Sequence, residues 1–260
     1  MDDTLQTYLN RVARMTLKDA YQSGLQHLQT SPKFQATEGG ARKPVSFPGY
    51  TVITPPMRED VENQEFYKNI ESSQQQLLEM LTPGLMVPVP ADSFHVTLAD
   101  LIWDRSYRDA SGENPDYDQQ LRSAIGQSFQ QCKSLAGGPP IRWQALGVML
   151  RTRAIGICLA PKNEQSYEQI VQLRRAIYQN QQLMGLGIEQ QYHFTGHITL
   201  GYFAEIPSSL DREHLSSALA DFNDKWLDSP QEIVIQRAEI RKFDDMIRYY
   251  REEDWPVFKF

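Results

Sequence analysis

Two short stretches of the chain carry the residue types that proton transfer to and from phosphate esters requires. FHVTL, Phe94 to Leu98, returns as GHITL, Gly196 to Leu200, so one histidine, one spacer and one threonine occur twice. Both lie in apolar runs that predict β-strands. Successive side chains on a strand point to opposite faces. His95 therefore shares a face with Thr97, and His197 with Thr199, while Val96, Leu98, Ile198 and Leu200 back onto a core. Imidazole can take or give a proton near neutral pH. Two imidazoles flanking one phosphorus atom can work in line, one on the attacking oxygen and one on the departing oxygen. Threonine hydroxyls can donate to the non-bridging oxygens, where transition-state charge is held. None of this requires a metal.

A lone His-x-Thr on a strand usually marks a partly buried histidine bonded to a neighbour. The matching Thr-Leu endings, the strand context and the equivalent positions in a repeat favour function. Zinc is the other reading of the histidines. His193 and His197 stand four apart, which suits a metal on a helix, but this stretch reads as strand and has no cysteine pair or carboxylate motif beside it. The expected metal complement is none. His193 reads as a loop residue, and His27 and His214 fall on predicted helices.

The elements that position the motifs are read from periodicity. Residues 4–30 predict a helix, with Leu5, Tyr8, Leu9, Val12, Tyr21, Leu25 and Leu28 at steps of mostly three and four. Residues 31–48 have prolines and glycines but no periodicity, and read as a linker or a surface-hugging arm. The chain then looks duplicated. GYTVITPP is a strand, followed by a helix over about 60–81, the first motif strand over 95–103, a helix over about 117–135 and the strand IRWQALGVML. RAIGICLAP, a helix over about 164–184, the second motif strand over 197–203, a helix through Leu215 and Trp226, and QEIVIQRAEI repeat that order. The expected fold class is α+β: two related lobes, roughly 48–150 and 151–260, whose antiparallel or mixed sheets line a central cleft with helices outside. Residues 1–47 form a separate helix and arm.

The chain has 260 residues, with 40% hydrophobic and 23% charged, an ordinary globular balance. No run approaches the eighteen or so apolar residues of a membrane span, and MDDTLQTYLN lacks the pattern of a secretory signal. Cys132 and Cys158 form no CxxC pair and read as reduced core residues of a cytoplasmic protein. With 33 acidic against 26 basic residues and a net charge of −7, the composition argues against duplex DNA as a partner. It leaves room for a small phosphorylated ligand held by a few local donors. No membrane partner is expected, and nothing points to a protein partner.

HVTL and HITL in a duplicated α+β frame resemble the two-histidine (2H) phosphoesterase superfamily, which includes RNA 2′,5′-ligase-like proteins and 2′,3′-cyclic nucleotide phosphodiesterases. The resemblance covers roughly residues 48–250. The longer context, SFHVTLADLIWDR and HFTGHITLGYF, is more similar to an uncharacterised bacterial branch. It implies a cofactor-free, metal-independent cleavage of a cyclic or 2′,5′-type phosphodiester in a small nucleotide or RNA terminus. It carries catalysis onto His95 and His197 and phosphate binding onto Thr97 and Thr199. By analogy His197 is the base and His95 the acid. The alternatives are a non-catalytic module that binds a phosphorylated metabolite, and an RNA end ligase or lyase using the same cleft. As outer contacts, Trp103 has the parity of His95 and can stack on a base, and Tyr50 can do likewise. Arg151 and Arg153 flank the seam between the halves and are candidates for a terminal phosphate. Tyr202 has core-face parity, which counts against it as a ligand.

Overall fold

The structure is a computed structural model that describes residues 3–260, the side chain of Leu227 excepted. The first two residues of the expected N-terminal segment lie outside that range.

The predicted N-terminal helix is two helices, α1 (Leu5–Met15) and α2 (Lys18–Gln26). Thr4 caps α1 by accepting the Thr7 amide at 3.2 Å. Leu17 is extended (φ −92°, ψ 153°), so the chain turns there. The turn lets Tyr8 and Tyr21 reach different strands: Tyr8 Oη donates to the Leu159 carbonyl at 2.9 Å and Tyr21 Oη to that of Val148. The arm holds a hairpin of β1 (Phe34–Ala36) and β2 (Arg42–Pro44).

The rest follows the predicted order with a short strand and a helix added, the helix expected over 164–184 broken in two, and the closing strand QEIVIQRAEI divided between two sheets. β3 (Gly49–Ile53) leads to α3 (Gln64–Met80), β4 (Met86–Pro88) and the first motif strand β5 (Thr97–Trp103). Then comes α4 (Asp104–Glu113), which the sequence pattern conceals because only Tyr107 on it is buried. α5 (Tyr117–Gln131), β6 (Ile141–Arg151), β7 (Ala154–Pro161), α6 (Glu164–Tyr178) and α7 (Gln181–Gly185) lead to the second motif strand β8 (His197–Phe203). α8 (Arg212–Asp228), β9 (Glu232–Ile235), β10 (Arg237–Phe243), β11 (Tyr249–Tyr250) and β12 (Val257–Lys259) complete the chain.

Two five-stranded antiparallel sheets result. One runs β11-β10-β3-β5 with β12 also on β10; the other runs β4-β8-β7-β6-β9. The fold class is α+β, as the alternating pattern implies. The lobe boundaries at 48–150 and 151–260 do not describe the sheets. β6, which closes the first half, lies in the sheet of the second motif; β10, which closes the second half, pairs with β3 in the sheet of the first motif. The reason is local. Only Thr152 and Arg153 separate β6 from β7, and so short a link forces antiparallel neighbours in one sheet. Cys132 and Cys158 are both free and buried. Burial pushes their thiols up, to about 11 and about 12 respectively.

Candidate active site

β5 and β8 come from different sheets, yet His95, Thr97, His197 and Thr199 all line one cavity of about 1090 Å³. That is nucleotide-sized or larger for a ligand pocket.

Each histidine is oriented in the same way. His95 Nδ1 lies 2.7 Å from the Ser93 carbonyl oxygen, and His197 Nδ1 lies 2.8 Å from that of Thr195. A carbonyl can only accept, so Nδ1 carries the proton in both rings and Nε2 keeps its lone pair. The backbone before each motif is pinned. The Val96 amide donates to Thr54 Oγ1 at 2.9 Å, and the Gly196 amide to Tyr8 Oη at 3.0 Å. α1 also braces the second motif, since Arg11 donates to Thr195 Oγ1 at 2.7 Å and to the Phe194 carbonyl at 2.6 Å. Neither the Thr97 nor the Thr199 hydroxyl bonds to another side chain or carbonyl among the described residues, so both can donate to a ligand.

Both motif strands carry an irregularity immediately after the threonine. Ile53 pairs with Thr97 and Val52 with Ala99, which leaves Leu98 unpaired. Gly156 pairs with Thr199 and Ile155 with Gly201, which leaves Leu200 unpaired. The repeated leucine is a bulge position in both halves. A bulge inserts one residue and flips the alternation beyond it. Asp100 and Tyr202, three residues past each threonine, are thereby turned into the cavity. This corrects the core-face expectation for Tyr202. A second irregularity, between the Tyr50 and Thr51 pairings, restores the parity of β5, so Trp103 also reaches the cavity.

The two bulges are clamped from behind. Gln74 Nε2 on α3 donates to the Leu200 carbonyl at 2.7 Å and to that of Val89 at 2.8 Å. Arg174 on α6 donates through Nη1 to the Leu98 carbonyl. Gln74 is 2% exposed and Arg174 4%, so no water replaces either donor. Each motif strand is thus held by the helix of the other half.

The remaining expected contacts divide. Tyr50 contributes to the cavity wall, but its hydroxyl donates to Asp118 at 2.8 Å and accepts from Arg122 at 3.1 Å, both on α5. Its ring packs on Tyr107 and Trp255, so it is a packing residue rather than a free stacking platform. Arg153 lines the cavity at the hairpin turn, with Nη2 bound to Gln29 Oε1 at 2.8 Å. Arg151 is the arginine at the motif: Nη2 stands 3.5 Å from His197 Nδ1. His193, weighed for zinc, pairs with Asp3 at 3.1 Å. Among the described residues, no three His, Cys, Asp or Glu side chains cluster as metal ligands. No helix there is long and apolar enough to cross a membrane. The residues that sequence reading misses are Gln74, Arg174, Asp100, Tyr249, whose ring lies 4.3 Å from that of His95, and Lys33 of the arm. The repeated Thr-Leu and the glycine at 201 inside a strand were the available signals for the bulges.

Burial is the main force on both imidazoles. It lowers His95 from 6.5 to about 4, against the opposing Ser93 carbonyl and with help from Arg241. It lowers His197 from 6.5 to about 3, with the adjacent Arg151 as the next cause. Both rings are neutral in the free protein at neutral pH. Between about pH 6.5 and 4 the unfolded chain therefore binds more protons at these sites than the native one. Their contribution to stability is full above that window and is lost as pH falls through it. Melting temperatures from pH 7.5 to 4.5 should fall less for a His95→Asn, His197→Asn double variant than for the wild type. Equal losses would contradict the neutral assignment.

Comparisons with known proteins bear on this arrangement. Residues 33–115, which contain the first motif, match the 2H-phosphodiest family model, described as a domain of unknown function (DUF1868). No curated protein matches the chain. Among solved structures, the conserved protein of unknown function ATU0111 from Agrobacterium tumefaciens str. C58 is similar at 18% identity and TM-score 0.57, over 87% of this chain and 91% of that one. That likeness is one of fold. TT0787 of Thermus thermophilus is similar at 14% identity and TM-score 0.46, over 81% of this chain and 96% of its own. LigT of E. coli, solved with 3′-AMP, is similar at 14% identity and TM-score 0.44, over 83% of this chain and 98% of that one.

Proposed function

From a chain whose residues 33–115 match the 2H-phosphodiesterase family, we propose a phosphodiesterase that opens a 2′,3′-cyclic or 2′,5′-linked phosphodiester of a small nucleotide or RNA end. The observation that supports this best is the pair of equivalently held imidazoles, each with Nε2 free, in one cavity with two unengaged threonine hydroxyls.

His197 is the base. Arg151 beside it disfavours its protonated form. Water attacks phosphorus as its proton passes to His197 Nε2. The bond from phosphorus to the ribose oxygen breaks, and that oxygen takes the proton from Nε2 of a protonated His95. Thr97 and Thr199 donate to the non-bridging oxygens, and Arg151 balances their charge. Solvent exchange then returns each histidine to its starting state. Because both imidazoles are neutral without ligand, the proton on His95 enters with the phosphate anion, which favours the charged ring.

The test is product analysis. With a chelator present, the protein should convert 2′,3′-cyclic AMP to a single monophosphate isomer, or cleave a 2′,5′-linked dinucleotide. Binding of these compounds with no product under any of these conditions would leave a binding module and sink the reaction.

A further inference from the structure

One phosphate accounts for the histidines and threonines, and the cavity is larger than one phosphate needs. Past Thr199 the bulge brings Tyr202 into the same space, and Lys33 lies over its ring, with Nζ 5.0 Å from the ring centroid. Phe47 covers the other side at 4.6 Å. Lys33 is carried by the arm, which backbone bonds tie to both sides of the cleft. The Gln29 amide donates to Thr152 O, the Ser31 amide to Phe203 O and the Phe47 amide to Asp244 O, each at 2.8 Å. The position of the ammonium is thus set by main chain rather than by a free surface tether.

The charges around the cavity do not cancel. It is lined by Lys33, Arg151 and Arg153 against Asp100 and Asp104. Asp104 pairs with Arg108 at 3.6 Å, Asp100 accepts the Tyr192 hydroxyl, and Arg153 is bound to Gln29. Lys33 and Arg151 have no carboxylate partner within ion-pair distance among the described residues, and Arg151 Nε is buried without a hydrogen bond. Aromatic faces attract an ammonium but accept none of its three N–H donors conventionally. The Tyr192 hydroxyl leaves the charge of Asp100 in place, and that carboxylate acts on Lys33, but Lys33, Arg151 and Arg153 outnumber it. On a chain of net charge −7 this local excess of cations marks demand for an anion. Arg151, beside His197, meets the reacting phosphate. Lys33 stands further along the same strand face.

We infer that Lys33, held between Phe47 and Tyr202, forms a second anion subsite, and that the favoured substrate is a nucleotide phosphodiester bearing an additional terminal phosphate. The inference rests on the phosphodiesterase reading for the word substrate, but the subsite itself is a matter of binding. Burial lowers Lys33 to about 8, so the preference for the second phosphate should weaken as pH rises past that value.

Calorimetry with adenosine 2′-monophosphate and adenosine 2′,5′-bisphosphate tests the subsite directly. The wild type should bind the bisphosphate about tenfold more tightly or better, the gain expected of one well-placed ion contact. That ratio should collapse towards one in Lys33→Met, survive in Lys33→Arg, and be unmoved in Lys43→Met, which removes the same charge from the exposed face of the β1–β2 hairpin. A wild-type ratio near one, or a Lys33→Met ratio equal to the wild type, overturns the subsite. A preserved ratio together with no turnover of any cyclic or 2′,5′-linked compound overturns the reaction and leaves the subsite standing.

Discussion

Alanine at His197 or His95 should each lower turnover by roughly 10²–10⁴-fold, the usual worth of a positioned general acid or base. The two losses should differ in kind. If His95 supplies the leaving-group proton, its loss matters little when the departing oxygen is a good leaving group, because p-nitrophenolate departs unaided. His95→Ala should therefore recover most of its deficit on a p-nitrophenyl ester of a nucleotide, whereas His197→Ala should not. The reverse pattern would exchange the two roles, and full activity in either variant would remove that histidine from the chemistry. Neither substitution should unfold the protein. Both rings line an open cavity, so alanine leaves a water-filled space rather than a void in hydrocarbon.

The second large effect is expected at residues that touch no substrate. Gln74→Leu strips the buried Val89 carbonyl of its donor, at about 1–3 kcal/mol, and leaves the Leu200 carbonyl with the Val89 amide alone. Arg174→Met takes the side-chain donor from the Leu98 carbonyl, but it also removes a buried cation with no carboxylate partner among the described residues. Removing a desolvated cation that lacks a counter-charge offsets the cost of the orphaned carbonyl. Arg174→Met should thus melt near the wild type while losing activity on the order of 10²-fold. Relaxation of the bulge at Leu98 displaces the imidazole and hydroxyl on the strand, and displacements near 1 Å cost that much. The loss should fall mainly on kcat, and Arg174→Lys, which keeps a donor, should restore part of it. A merely structural role would instead lower the melting temperature and leave kcat per folded molecule intact.

The parts of this molecule that are legible in the sequence are those fixed by near neighbours. Alternation along HVTL and HITL identifies the strands and places each histidine beside its threonine, and apolar spacing marks the helices. The bulges at Leu98 and Leu200 are not legible in this way. A single skipped residue leaves the hydrophobic pattern almost untouched yet reverses every side chain after it, which is why Tyr202 reads as core and stands in the cavity. Strand exchange escapes a half-by-half reading because the two-residue turn at Thr152 and Arg153 outweighs the symmetry of the repeat. α4 is too polar to show a face. Lys33 lies in a segment without periodicity, where pattern has nothing to measure. Gln74 and Arg174 stand on amphipathic helices as polar residues in buried places, and only the opposing carbonyls explain them.

The exchange of closing strands governs how this protein comes into being. Ile53 and Glu239 are register partners, so the sheet that carries the first motif strand is incomplete until the chain has been made past residue 239. Pairings this remote in sequence must meet their closure entropy before they give any stabilisation, and they form late. A nascent chain that ends before residue 237 can fold neither β5 onto a finished sheet nor the cleft around a ligand. Severing the chain at its internal repeat would leave two fragments, each lacking a strand held by the other. The two halves of the cleft wall in this architecture are therefore finished together, once β10 has paired with β3.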